Sequence, residues 1–352
     1  NGPAILRDPL APPSTKAMIT VYARVGASID PTTLGPDAPI PHSPVWIDVQ
    51  APTEGELKRI ADYLDIELPD KSTVWKNHVL NRLYIEGDFA FMSAALINKV
   101  STPYPVTSPV TFILGSQFLL TIHDNDPTSF KNFSVRLFKS CNAFPTPLYV
   151  LEGLLEEIIT RVAYNSEIIV DTLDELSHDI FQSASSDALR DNSAAHVVQV
   201  SQSSTVLQTV LKRLGAAADL NSKISESLHS INRLMTFLRE EVSSDPKIDA
   251  KLDLLMADVR ALQTQTSFMS DKVTFQLDAT LGMINVEQNL IIKIFSVVAV
   301  FFMPPTLISS MYGMNFKFMP ELGWHIGYPV ALGLMICSAM IPYLYFRRRG
   351  WL

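Results

Sequence analysis

The sequence predicts an α/β domain followed by a long helical stalk and two C-terminal transmembrane helices. Three observations carry that prediction. Short β-type runs alternate with amphipathic helical patterns over residues 18–145. Apolar residues then recur at three- and four-residue steps through much of residues 146–289. Two apolar runs close the chain, 290–312 and 328–346, and the second contains no charge. A helix needs about 20 apolar residues to cross the hydrocarbon core of a bilayer, and no other stretch of this chain approaches that.

In chain order, residues 1–17 carry Pro3, Pro9, Pro12 and Pro13 and read as a disordered leader or appended segment, with Met18 a candidate start. Strands are expected at 19–25, 45–49, 82–85, 89–97, 110–114 and 118–122, parted by turn pairs such as Gly87-Asp88 and Gly115-Ser116. A helix is expected at 53–64, opened by Pro52-Thr53 with Glu54 and Glu56 in its first turn. Another is expected at 127–139. Strands interleaved with helices make an α/β domain. Beyond residue 146, Leu151, Leu154, Leu155, Ile158, Ile159 and Val162, then Ile169, Leu173, Leu176 and Ile180, mark one face of a helix longer than thirty residues. A second helix spans 188–242, with Gly215 its only glycine. Ser244-Asp245-Pro246 reads as an N-cap followed by proline in the first turn. From Pro246 to Pro304 only Gly282 interrupts the helix formers. A continuous helix of that length runs about 85–90 Å. The membrane takes about 30 Å of it, so the remainder must stand as a stalk packed against other helices.

Charge sets the orientation. Arg347, Arg348 and Arg349 follow the second span and Lys293 stands at the entrance of the first, whereas the loop at 313–327 carries only Lys317, Glu321 and His325. Positive charge flanking spans is retained in the cytoplasm. Both termini, including the basic tail 347–352, are therefore expected inside. The first twenty residues lack the apolar stretch of a signal peptide, which agrees with a cytoplasmic N-terminal portion. The formal net charge is −8, but residues 1–290 alone hold 23 basic and 35 acidic side chains. So acidic a surface is unsuited to nucleic acid; it suits cations, although on charge alone solvation is the simpler reading. Two cysteines, Cys141 and Cys337, exclude a disulfide framework or a thiolate cluster.

Within the first span, Asn289, Ser296, Met303 and Thr306 follow one another at steps of seven, seven and three, and Ile292, Phe295 and Ala299 fill the same stripe. Polar groups in hydrocarbon must face a partner or water. Alternating polar and apolar rings around a symmetry axis suit a gated pore, and ordinary helix packing through Ser and Thr fits the same spacing. His178 and Asp179 with Glu175 three residues earlier have a spacing metals can use, but exposed helix residues are the simpler reading. Gly323 and Gly327 have a small-residue spacing at the loop and receive no role. There is no catalytic constellation, so no enzyme is expected.

At this point the residues resemble a known family, the CorA divalent-cation channels. The block 289–315 holds Asn289, Lys293, Met303-Pro304, Thr306 and the signature Tyr312-Gly313-Met314-Asn315 in the family's positions. Phe316, Met319-Pro320-Glu321-Leu322, the basic tail and Trp351-Leu352 continue the likeness. Upstream, Val45-Trp46-Ile47-Asp48-Val49 leading into Ala51-Pro52-Thr53, the stretch 110–123, and Leu173-Asp174-Glu175-Leu176 resemble it more loosely.

The resemblance implies a homopentameric funnel in a bacterial-type inner membrane, five copies of the first span lining the pore. It implies a selectivity filter of Gly313, Met314 and Asn315, with Asn315 amide oxygens and Gly313 backbone oxygens gripping a hydrated ion. Mg²⁺ dehydrates reluctantly and demands octahedral geometry, so neutral oxygens that hold its water shell suit it. Thr306 and Asn289 are implied as further polar rings and Asp278 as a carboxylate ring below the membrane. Met303, Ala299, Phe295 and Ile292 are implied as a constriction that closes by dewetting. Regulatory Mg²⁺ is implied between subunits, with Asp253, Glu86 and Asp88 as candidate ligands; for any one of them a solvated surface carboxylate is the simpler reading. Glu321 either attracts cations or caps a turn. The implied cargo is Mg²⁺, with Co²⁺ and Ni²⁺ as lesser ions, and no nucleotide-binding loop or organic cofactor is expected. A ZntB-like proton-coupled zinc transporter is the alternative, and a membrane-anchored helical scaffold without transport is a third.

Overall fold

The computed structural model describes residues 18–25, 28–35, 38–41, 43–68, 83–98, 100, 105–187, 196–243, 245–314 and 319–349; the side chains of 25, 182–187, 196–204 and 321–322 are not among those described. The expected leader 1–17, Ser244 of the expected Ser244-Asp245-Pro246 cap, Asn315 and the tail beyond Arg349 lie outside the described residues. The chain divides into two units, residues 1–174 with 215–273, and residues 175–214 with 274–352.

The first unit is built on a seven-stranded mixed sheet. Its strands are β1 (Met18–Val25), β2 (Ser28–Leu34), β3 (Pro44–Gln50), β4 (Tyr84–Glu86), β5 (Phe89–Asn98), β6 (Val106–Leu114) and β7 (Leu119–His123), in the order β2-β1-β3-β7-β6-β5-β4. Only the β3–β7 pair is parallel. β3 and β7 sit at the centre and are buried almost throughout, as strands covered on both faces must be. Alternate residues serve the two faces. Ile19, Val21, Ile47, Val49, Ile113, Leu120 and Ile122 join Ile60 and Leu57 of helix α1 (Glu54–Leu64) in one core. On the other face Trp46 meets Phe130 and Phe133 of helix α2 (Thr128–Lys139) with ring centroids 6.0 and 5.6 Å apart.

Local chemistry accounts for the element ends. Thr53 caps α1 in a reciprocal capping box with Glu56, and Asp65 ends it in the left-handed region. The β4–β5 hairpin turns on Gly87-Asp88 with φ +58° at Gly87, a geometry that glycine adopts without strain. Two strand assignments differ from the sequence reading. β2 was not expected because Asp30 and Pro31 break its pattern, yet at the sheet edge a missing N–H costs no ladder bond. β6 starts at Val106 rather than 110, since the segment before Val110 pairs with β5 alone and tolerates Pro109.

Three long helices follow: α3 (Pro147–Asp187), α4 (His196–Phe237), which passes into a π-helical turn Leu238–Val242, and α5 (Pro246–Tyr312). In the first unit the expected stripe Leu151, Leu154, Leu155, Ile158 and Val162 is buried, as are Leu228, Ile231 and Leu234 of α4 and Leu252 and Val259 of α5. Ser230 of α4 accepts the Ala95 N–H at 2.9 Å, covering the open edge of β5, and its own proton has the Ser227 carbonyl at 2.8 Å and the Ala95 carbonyl at 3.3 Å as acceptors. Asp245 caps α5 by accepting the Lys247 N–H at 2.9 Å, with Pro246 in the first helical position. The second unit contains the apolar end of α5 and helix α6 (Gly327–Arg348), both long and apolar enough to cross a membrane.

Candidate ion pathway

The α5 stripe emerges from helical periodicity alone. Asn289, Ile292, Phe295, Ala299, Met303 and Thr306 are all exposed in the chain, Phe295 and Met303 at 70% each. On the opposite face Leu290, Ile294, Val297, Phe301 and Ile308 are half-buried. The six expected pore residues therefore share the unpartnered face of the helix. Asp278 is exposed on the same helix. Gly282, the lone glycine of the stretch, has open space where a Cβ would be.

The polar groups on this face have a defined donor balance. The Thr306 hydroxyl donates to the Phe302 carbonyl and the Ser296 hydroxyl to the Ile292 carbonyl, each at 2.7 Å. With its proton spent on the backbone, a hydroxyl offers only lone pairs outward. That is the polarity a cation or its water shell requires. Pro304 and Pro305 sit inside the helix, which continues to Tyr312. Gly313 donates its N–H to Ser309 at 3.0 Å, and a Cβ there would lie 3.3 Å from that carbonyl oxygen. Met314, 48% exposed, ends the helix with a hydrogen bond to Met311. Asn315 lies outside the described residues. Glu321 falls in the 3-10 turn Pro320–Gly323, its side chain undescribed.

The cytoplasmic carboxylates are arranged differently. Glu86 and Asp88 are exposed at the β4–β5 hairpin, and Asp88 lines a groove of about 390 Å³ with Glu241 of the π-helical turn. Asp253 is paired with Arg239 of that turn, Nε to Oδ1 at 2.7 Å and Nη2 to Oδ2 at 3.3 Å. Among the described residues, no three His, Cys, Asp or Glu side chains converge to hold a metal, so one chain does not bring Glu86, Asp88 and Asp253 together. Glu175 and Asp179 are engaged by Arg213 at 2.6 and 3.8 Å.

Sequence reasoning missed two features. Arg239 was not singled out. The second is a buried network behind the parallel strands: His123 Nε2 lies 2.9 Å from Asp48 Oδ1, the Thr121 hydroxyl donates to the same oxygen at 2.5 Å, and Trp46 Nε1 donates to Thr121 at 3.0 Å. Its signal was an aspartate inside an apolar strand, which must find partners. Burial opposes charging His123, but the Asp48 charge and hydrogen bond, the Asn125 carbonyl and Asp126 outweigh it and raise its pKa above 6.5. Burial and Asp48 together push the Tyr22 phenol up to about 12.

A family model described as CorA-like Mg2+ transporter protein matches residues 42–348. The magnesium transport protein CorA of Mannheimia succiniciproducens is 31% identical over 312 residues, covering 88% of this chain and 92% of the relative. That of Escherichia coli is 30% identical over 309 residues, with the same coverage. Among solved structures, the complete CorA magnesium transporter of Methanocaldococcus jannaschii superposes with a TM-score of 0.69 at 20% identity, covering 96% of this chain and 99% of that one. The cytoplasmic domain of ZntB from Vibrio parahaemolyticus shares the fold at a TM-score of 0.54 and 12% identity, covering 76% of this chain and 98% of that one. Domain order, the two apolar helices and the matched length agree: the chain belongs to the CorA-like Mg²⁺ transporter family.

Proposed function

We propose that this chain forms a homopentameric channel that admits Mg²⁺ to the cytoplasm down the membrane potential. The observation that carries the proposal is the exposed stripe of α5, where Asn289 and Thr306 bracket Ile292, Phe295, Ala299 and Met303 on an unpartnered face. Five such faces around an axis make polar rings at both ends of an apolar constriction, which gates by dewetting. Asn315, Gly313 and Met314 form the outer filter, and Asp278 the carboxylate ring below the membrane. A divalent ion gains about 4.6 kcal/mol per 100 mV on entry, so no nucleotide is required. Co²⁺ and Ni²⁺ are secondary cargo. Asp253, with Glu86 or Asp88 of a neighbouring subunit, binds regulatory Mg²⁺ and holds the closed state.

The test is flux of Mg²⁺ into proteoliposomes loaded with a Mg²⁺-sensitive dye, with an inside-negative potential imposed or omitted. Potential-driven entry lost in Asn315→Ala is the expected result. Zinc entry that needs a proton gradient, with no Mg²⁺ flux, would favour the alternative, a ZntB-like proton-coupled zinc transporter. Unchanged uptake in Asn315→Ala would remove the filter from the mechanism.

A further inference from the structure

Helix α6 has two faces. Met335, Ser338, Pro342 and Phe346 are half-buried along one side, at steps of three and four residues. Cys337, Met340, Ile341 and Leu344 run along the opposite side and are exposed, and helical spacing continues that stripe into Arg348. Arg347 stands on one flank of the stripe and Tyr345 on the other, with the Arg349 guanidinium 5.6 Å from the centre of the Tyr345 ring. The proposed ion pathway on α5 uses none of these residues.

The stripe and the arginines meet at a definite depth. No side chain over residues 328–346 is charged. As a helix that stretch rises about 28 Å, which matches the ~30 Å hydrocarbon core of a bilayer. A span so placed keeps Leu344 among acyl chains and carries Arg347 and Arg348 to the level of the headgroup phosphates. Retention of positive charge on one side of a membrane does not depend on which face of a helix bears it. Here the face matters, because the apolar stripe turned away from the half-buried side runs directly into Arg348.

Charge complementarity names the occupant. Neither Arg347 nor Arg348 pairs with a carboxylate among the described residues, and α6 contains no acidic side chain. A guanidinium meets phosphate oxygens through a planar fork. Two of them, adjacent and unpaired, favour a headgroup of net negative charge over one whose own ammonium offsets its phosphate.

We propose that the arginine-bearing end of α6 is a binding site for an anionic phospholipid. Arg347 and Arg348 hold the headgroup phosphate, Ile341 and Leu344 lie along an acyl chain, and Tyr345 closes one flank. The bound lipid fixes the depth at which α6 stands in the bilayer.

The experiment is thermal unfolding of the full-length protein in a non-ionic detergent, titrated with short-chain phosphatidylglycerol, short-chain phosphatidylcholine or glycerol 3-phosphate. A ligand that binds only the folded state raises the midpoint with concentration. The expected result is a saturable rise with phosphatidylglycerol alone, weakened by high salt. Each basic side chain near an anionic surface contributes about fivefold to binding. Arg347→Gln combined with Arg348→Gln should therefore lower the apparent affinity about 30-fold, whereas Arg347→Lys with Arg348→Lys should keep most of it. Native mass spectrometry counts the lipid retained on the folded protein if the Gln variant is less stable. An equal rise with glycerol 3-phosphate would make this a site for a soluble anion and overturn the lipid. An equal rise with phosphatidylcholine, or a phosphatidylglycerol response that survives in the Gln variant, would remove the arginines and overturn the proposal.

Discussion

The pairing of Asp253 with Arg239 makes a quantitative prediction about regulation. If Asp253 ligates regulatory Mg²⁺, the ion must first displace Arg239, which holds both carboxylate oxygens at 2.7 and 3.3 Å. The two side chains are 41% and 54% exposed. A pair so open to water contributes about 0.2–1 kcal/mol. Removing the competitor in Arg239→Gln should therefore lower the Mg²⁺ concentration for half-inhibition by about 1.4- to 5-fold. The shift should shrink at high salt, because screening already weakens the pair. The assay is dye-reported influx into proteoliposomes at graded internal Mg²⁺, with Asp253→Asn expected to move inhibition the opposite way. Inhibition that is unchanged or weakened in Arg239→Gln would refute the competition. A shift in Arg239→Gln that persists in the double variant with Asp253→Asn would mean that the arginine acts elsewhere.

Three further outcomes follow from other parts of the molecule. Met303→Asn would put an amide into the proposed apolar constriction and should raise Mg²⁺ flux at internal concentrations that close the parent protein, read in the same vesicles. Gly153→Ala drives a methyl against Phe144 and, at 2.8 Å, Phe133; overpacking of this kind costs about 1–3 kcal/mol, visible as a lower unfolding midpoint. The His123–Asp48 pair raises the folded pKa of His123 above 6.5, so its stabilisation is complete below that pH and is lost as pH rises through the raised value. The stability difference between parent and Asp48→Asn should thus shrink as pH rises above 6.5 through the raised value in chemical denaturation.

What could be read from the sequence divides along physical lines. Local signals were legible because their chemistry lies within a few residues: the Thr53–Glu56 capping box, the Gly87-Asp88 turn and the cap before Pro246 all stand where expected. The α5 stripe was legible because a 3.6-residue period survives translation into exposure. Partnerships across the fold were not. Asp253 on α5 meets Arg239 of the π-helical turn Leu238–Val242 across fourteen residues and two separate helical segments, and Asp48 finds His123 only because β3 and β7 run parallel with Gln50 opposite His123. β2 escaped notice because an edge strand is free of the constraints that make strands recognisable, as its Pro31 attests.

Pro304 and Pro305 bear on the choice between a pore and a passive scaffold. Each lacks an N–H, so the carbonyls of Val300 and Phe301 lose the donors that a regular helix would supply. In a bilayer such groups are tolerated only where protein or a water-filled cavity meets them. Val300 is 44% exposed and neighbours Ala299 of the stripe, and Met303 and Thr306 flank the proline pair. A lipid-facing stripe would leave the Val300 carbonyl against hydrocarbon, with the Thr306 hydroxyl already committed to Phe302. A stripe facing its own copies around an intermittently wetted axis gives that carbonyl water. The prolines are thus costly in a scaffold and inexpensive in a channel, and they fall between Met303 and Thr306, where the proposed apolar constriction would give way to the proposed Thr306 ring.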